Sequence, residues 1–263
     1  VAGLRQRGVL MLGPAEGLQA CGENGAGRLL EPQQLFEYVI DHFSHGALQG
    51  LQVVLTAGPT REPVDAVRFV GNRSSGKMGY AIAEALLRQG AEVTLVSGPV
   101  ALDCPVGVTR VMVESALQMH DAVMAVIEQA DLFIACAAVA DYRPMNVAAQ
   151  KIKKQGQTLS LELVRNPDIL RDVSALPKRP FCVGFAAETE ALAEYAEGKR
   201  KDKGIEMIAA NLVGEQRGFE ADQNALLVLW EGGQQRLPEQ PKSQLAEQLV
   251  ALIAARLTGE EGV

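Results

Sequence analysis

The most constraining stretch of this 263-residue sequence is Thr56–Gly79, TAGPTREPVDAVRFVGNRSSGKMG. The apolar run Leu51–Leu55 leads into it and has the length of a buried strand. A helix leaves it, with Met78, Ala81, Ile82, Ala85 and Leu86 at helical spacing and Gly90 as the stop. Four glycines, two prolines and a cluster of hydroxyls and charges lie between, far more than a tight turn needs. A glycine-rich loop feeding a helix start brings unpaired N–H groups and the positive end of the helix dipole together, where an anion fits. Gly71–Lys77 even follows P-loop spacing up to its lysine, but Met78 stands where that motif needs Ser or Thr to hold magnesium. Ordinary P-loop ATPase chemistry is therefore disfavoured.

Composition narrows the partners. A net charge of −7 gives no electrostatic case for nucleic-acid binding, though a local basic patch can hold a phosphorylated small molecule. No apolar run reaches the ~20 residues of a membrane span, and without a signal-peptide pattern the expected compartment is the cytosol. Cys21, Cys104, Cys136 and Cys182 form no CxxC pair, and His42, His45 and His120 form no ligand spacing. Neither a disulfide scaffold nor a zinc site is indicated.

From Gln49 onward, strands and helices alternate as in a mostly parallel sheet. Expected strands are Gln52–Thr56, Glu92–Ser97, Leu132–Ala137, Cys182–Ala186 and Met207–Asn211; most are continuously apolar, as strands covered on both faces should be. Expected helices are Lys77–Gln89, Ser115–Gln129, Pro167–Leu176 and Glu188–Lys203. Asn224–Trp230 and Gln235–Leu237 read as a hairpin around Glu231–Gly233, and Lys242–Leu257 as a closing helix. Tyr142–Glu162, polar and lysine-bearing, reads as a flap. Before Gln49 the expectations are a short strand over Val9–Gly13, a loop over Gly13–Gly27 and a helix over Pro32–Phe43. The fold class is thus α/β, a three-layer Rossmann-like fold with a flap and a C-terminal hairpin.

GPTREPVDxVRxxxNxSSGKMG resembles the signature of bacterial phosphopantothenoylcysteine synthetase, the ligase half of a bifunctional protein of coenzyme A biosynthesis. The resemblance continues in order through Ala137–Arg143 (AAVADYR), Lys151–Lys154 (KIKK), Asn166–Leu170 (NPDIL) and Gly184–Thr189 (GFAAET). Gln19–Arg28, QACGENGAGR, resembles the C-terminal flap of the decarboxylase half, where the cysteine matching Cys21 is the proton donor. The expected division is residues 1–48, a decarboxylase fragment plus linker, and residues 49–263, the ligase domain. The flavin-binding body that would carry FMN is not in these residues, so decarboxylation by this chain alone is not expected.

The resemblance implies a CTP-dependent ligase joining 4′-phosphopantothenate to L-cysteine through an acyl-cytidylate, with Mg2+ and a homodimer. Ser74, Ser75, Gly76 and Lys77 sit at a helix start and would bind the phosphate of 4′-phosphopantothenate; as a plain cap, one serine would suffice. Asn72, otherwise a turn residue, would process the acyl-cytidylate. Asp141 ends a strand, where ligands of open α/β sheets collect, and would contact the nucleotide or magnesium. Lys151 in the flap would be catalytic and face the phosphates, while Lys199 and Lys203, four apart on one helix, would reach the nucleotide phosphates. Val164, Arg165, Asn166, Pro167 and Phe185 would cradle the base.

Two other readings compete. A nicotinamide-dependent oxidoreductase needs GxGxxG directly after the first strand, where this chain has TAGPTREP. A non-enzymatic phosphate-binding module fits the anion loop but leaves the charged groups at the strand ends without a task.

Overall fold

The computed structural model describes residues 3–4, 9, 11–18, 24–43, 46–154, 156–188, 192–212 and 221–259. The chain divides into two compact units, Val1–Gly46 and Ala47–Val263. In the first, β1 (Ala15–Leu18) and β2 (Asn24–Arg28) pair antiparallel, and α1 covers Pro32–Phe43. This hairpin occupies most of what reads as a loop in sequence. The strand expected over Val9–Gly13 does not form among its described residues, and Cys21 lies outside the described residues.

The second unit is built on one sheet. Its strands are β3 (Gln52–Ala57), β6 (Glu92–Ser97), β7 (Thr109–Met112), β8 (Leu132–Ala135), β11 (Phe181–Glu188), β12 (Met207–Leu212), β13 (Gln223–Trp230) and β14 (Gly233–Pro241). They lie in the order β14-β13-β12-β11-β8-β3-β6-β7, parallel except for β13 and β14. Two short hairpins stand outside it: β4 (Arg61–Pro63) with β5 (Phe69–Gly71), and β9 (Tyr142–Pro144) with β10 (Leu163–Arg165). The helices are α2 (Lys77–Arg88), α3 (Ala116–Met124), α4 (Ile169–Ser174), α5 (Leu192–Lys203) and α6 (Lys242–Thr258).

Period-2 alternation sorts the strand residues into two cores. Val53, Leu55, Leu132 and Ile134 face α2 and α6, in one cluster with Ile82, Leu86, Leu249 and Ile253. Val54 and Phe133 face the other way, against Met119, Val123, Leu170 and Val173 of α3 and α4. Both faces of the sheet are covered, as continuously apolar parallel strands require. This is the expected three-layer α/β fold, with a mostly parallel Rossmann-like sheet.

Element ends differ from expectation for local reasons. Ser115 caps α3 in a reciprocal capping box with Gln118, and a 3-10 turn over Ile127–Gln129 follows the helix instead of continuing it. Asp168, whose carboxylate accepts the Arg171 N–H at 3.1 Å, starts α4 after Pro167 rather than at it. β11 runs on to Glu188 because Ala187 and Glu188 pair with Asn211 and Leu212. The C-terminal hairpin extends the main sheet through β12 and is covered by α6, so it is not the isolated ribbon whose marginal stability would call for a partner subunit. None of the described helices is long and apolar enough to cross a membrane.

Candidate active site

After β3 the chain turns to β6 and β7 on one side of the sheet, and from β8 it proceeds through β11 and β12 on the other. The gap beyond the carboxyl ends of β3 and β8 is therefore a topological switch point, where open α/β sheets bind ligands. The two loops leaving these strands are laced together. Ala137 donates its N–H to Thr56 Oγ1 at 3.3 Å, and Ala138 donates to the Gly58 carbonyl at 2.9 Å. Ala140 donates to Thr60 Oγ1 at 3.0 Å. Asn72 joins them, its Nδ2 donating to the carbonyls of Val139 at 3.0 Å and Ala138 at 3.4 Å. The amide thus holds the loop that carries Asp141.

The anion loop meets this floor at the start of α2. Gly76 is its N-cap residue, in the left-handed region at φ 76°, and no side chain caps the helix. A Cβ there would come within 2.7 Å of Val100 Cγ1, so both conformation and space require glycine. Ser74 Oγ accepts the Gly76 N–H at 3.3 Å, just ahead of the helix. A Cβ at Gly79 would lie 2.5 Å from the Ala57 Cβ; its absence lets α2 press against the end of β3. Lys77 Nζ reaches Asp222 Oδ1 at 2.5 Å.

A cleft of about 300 Å³ opens here, lined by Asn72, Ser74, Ser75, Gly76, Lys77, Asp141 and Phe185 among the residues singled out from sequence. Four more line it that sequence reasoning missed: Cys136, Asn211, Asn224 and Lys242. Only Cys136 follows directly from a recognised motif, as the residue before AAVADYR. Asn211 and Asn224 end and begin strands that read as structural, and Lys242 reads as the first turn of a surface helix. Burial pushes the Cys136 thiol up to about 12, so it stays protonated near neutrality and is a poor nucleophile. Burial, and then the neighbouring Lys77, lower the pKa of the Lys242 ammonium.

The other residues expected at the nucleotide do not line the cleft. Lys151 is exposed in the 145–162 segment between β9 and β10. The next residue, Ile152, is gripped at both backbone groups: its N–H donates to Asp65 Oδ2 at 3.0 Å, and its carbonyl accepts from Arg68 Nη2 at 3.1 Å. Asp65 is buried, and the Arg68 guanidinium, followed by the Ile152 N–H, holds its carboxyl well below the usual carboxylate range. Val164 and Arg165 lie on β10. Asn166 is occupied structurally, donating its backbone N–H to the Asp141 carbonyl at 2.9 Å and Nδ2 to the Ala140 carbonyl at 2.7 Å. Pro167 precedes the Asp168 cap, and Lys203 Nζ lies 3.0 Å from Asp168 Oδ1. Lys199 is exposed on α5. The β9–β10 ribbon thus flanks the cleft through its hydrogen bonds to the Asp141 loop.

Asp141 is exposed at the rim, and among the described residues no group of three or more His, Cys, Asp or Glu side chains could hold a metal ion. A lone carboxylate suits magnesium, which takes one or two carboxylates and completes its shell with water and substrate phosphates.

The family model for the DNA/pantothenate metabolism flavoprotein C-terminal domain matches residues 48–257. The coenzyme A biosynthesis bifunctional protein CoaBC of Vibrio cholerae is 52% identical over 254 residues, which are 95% of this chain and 64% of that protein. Its Escherichia coli counterpart is 49% identical over 259 residues, 96% of this chain and again 64% of the relative. The chain thus spans 64% of the length of these relatives. The crystal structure of a CoaBC C-terminal domain, 41% identical, superposes with a TM-score of 0.71 and covers 82% of this chain and 100% of that one.

Proposed function

The chain belongs to the family of the DNA/pantothenate metabolism flavoprotein C-terminal domain, and on that premise we propose that residues 47–263 are a phosphopantothenate–cysteine ligase that uses CTP. The supporting observation is convergence: Asn72, the Ser74–Lys77 loop, Asp141 and Phe185 come from separate segments onto one cleft at the switch point. The names of the relatives, bifunctional proteins of coenzyme A biosynthesis, point the same way.

In this reading, a carboxylate oxygen of 4′-phosphopantothenate attacks the α-phosphorus of CTP. An acyl-cytidylate forms and pyrophosphate leaves. The cysteine amine then attacks the acyl carbon, the C–O bond to CMP breaks, and the amine loses a proton. Activation is needed because a carboxylate is a poor acyl donor. The start of α2 binds a phosphoryl group through backbone N–H groups and Lys77, and Phe185 offers a face to the base. Asn72 orients the acyl-phosphate by exchanging its longer bond, to the Ala138 carbonyl, for a phosphate oxygen. Lys151 reaches the polyphosphate when the 145–162 segment closes, with Lys199 and Lys203 farther along the nucleotide. Asp141 would hold Mg2+, which supplies positive charge to the phosphate oxygens. A protonated Cys136 in the wall does not compete with substrate cysteine for the acyl group.

Cys21 belongs to the reading of a decarboxylase half, which needs FMN from residues outside this sequence. The proposed setting is cytoplasmic, with that half as covalent partner and a homodimer as the active form. Supplying the full chain with Mg2+, CTP, 4′-phosphopantothenate and L-cysteine should release pyrophosphate only when the nucleotide and acid are both present, with ATP a poor substitute. No pyrophosphate, or equal release from ATP and CTP, would overturn the ligase or its nucleotide choice respectively. Light scattering at micromolar concentration should give twice the chain mass, and a fully active monomer would refute the dimer.

A further inference from the structure

Lys242 lies outside every motif that points to the reaction, yet it lines the same cleft as Ser74, Ser75, Gly76 and Lys77. It opens α6, and its residue is only 7% exposed. A lysine this buried at a helix start is unusual, because its ammonium gives up hydration that a surface position would keep. Its backbone is anchored: the N–H donates to the Asp222 carbonyl at 3.0 Å, so the side chain rises from a rigid helix end.

The same Asp222 carries the carboxylate that meets Lys77 at 2.5 Å. That carboxylate is 86% exposed, held on a segment just before β13. Lys77, Lys242 and the start of α2 therefore line one cleft, and Lys77 is paired there with an exposed carboxylate. The two cations repel each other: burial first, and then Lys77, lowers the Lys242 pKa. A multiply charged anion relieves that repulsion, whereas a single carboxylate offsets it only in part.

The geometry points to Lys242 as a second phosphate-binding cation, which clamps a substrate phosphoryl group together with Lys77 once Lys77 has exchanged Asp222 for it. This rests on the ligase reading for the identity of the ligand, a phosphomonoester or polyphosphate. The group comes from either 4′-phosphopantothenate or the CTP triphosphate, and binding to variants distinguishes them. Asp222 is then a stand-in anion that keeps Lys77 extended across the cleft mouth until substrate arrives.

The test is calorimetric titration of the full chain and its Lys242→Met, Lys242→Arg and Asp222→Asn variants with three probes: Mg–CTP, 4′-phosphopantothenate, and pantothenate as the control without phosphate. Lys242→Met should weaken one phosphorylated probe by about ten- to a hundredfold, the loss expected for one charge-assisted hydrogen bond. Lys242→Arg should restore part of it. Asp222→Asn should tighten the same probe several-fold, because a competitor for Lys77 is gone; a merely structural Asp222 would weaken it instead. The probe affected names the phosphate source. Unchanged affinity of Lys242→Met for both phosphorylated probes, or weakening by Asp222→Asn, overturns the clamp. If Lys242→Met does not fold, Lys242→Gln takes its place, and unchanged affinity of that variant for both phosphorylated probes overturns the clamp. Failure of the unaltered chain to bind either probe refutes the ligase reading instead, and inorganic pyrophosphate then tests the clamp, which falls if Asp222→Asn does not tighten it.

Discussion

The two flanks of the cleft are built differently. The flank proposed for phosphate, from Asn72 through Lys77, rests on strand ends and a helix start, where a Cβ added at Gly76 would come within 2.7 Å of Val100. The flank proposed for the nucleotide lies on the β9–β10 ribbon and on α5, where Lys151 and Lys199 are exposed and Lys203 is engaged by Asp168. The first flank is tied to the neighbouring loop by hydrogen bonds, whereas the second presents Lys151 and Lys199 as exposed side chains on an anchored backbone. Preorganisation removes ordering cost at the moment of binding, whereas a flap adds closure and exclusion of water.

Variants separate these two modes. The largest expected effect is Asn72→Asp, which replaces an amide donor to the Ala138 and Val139 carbonyls with a carboxylate. Turnover should fall by about a hundredfold or more, the loss of an oxyanion-type donor. Mass spectrometry of the reaction mixture should show acyl-cytidylate accumulating. Equal loss of both half-reactions would mean that Asn72 acts only by holding the Asp141 loop.

On the opposite flank, Lys151→Ala should lower kcat by roughly ten- to a hundredfold, as expected for one charge-assisted contact. The thermal midpoint should stay unchanged because the side chain is exposed. A matching fall in stability would show that this flank is prebuilt too.

Gly76→Ala probes preorganisation directly. Its positive φ and the 2.7 Å approach to Val100 should cost about 1–3 kcal/mol in urea unfolding. Phosphate affinity should fall with it. Undiminished stability would show that the loop adapts rather than holds.

Lys203→Met removes a partly exposed pair with Asp168, which at a surface is worth at most about 1 kcal/mol. CTP affinity should drop more than stability if Lys203 serves the nucleotide. A change confined to stability would assign it to the cap of α4.

The smallest effect concerns the thiols of Cys136, in the cleft wall, and Cys182, in the core. Folding raises Cys136 and Cys182 from 9.0 to about 12, chiefly through burial. The folded chain therefore holds more protons between those values. Stability from these groups is full below about pH 9 and declines as pH rises toward 12. The urea midpoint should be lower at pH 10 than at pH 8 and recover part of the difference in Cys136→Ala; equal midpoints in the unaltered chain would refute it.

What the sequence by itself determined is local. Continuous apolar runs marked β3, β6, β8, β11 and β12, because a strand covered on both faces has no polar side to reveal. The anion loop was legible because its glycines, hydroxyls and lysine are neighbours in the chain. Element ends were less so, since a capping side chain such as Asp168 or a pairing partner such as Leu212 decides where a run stops. The short hairpins β4–β5 and β9–β10, three residues per strand, are too brief to carry a period. Only the tertiary structure joined Lys242 to Lys77 across 165 positions of sequence. A lysine at the first turn of an amphipathic helix looks the same in sequence whether it meets water or a cleft; the packing of α6 against β13 and α2 buried this one beside the anion loop.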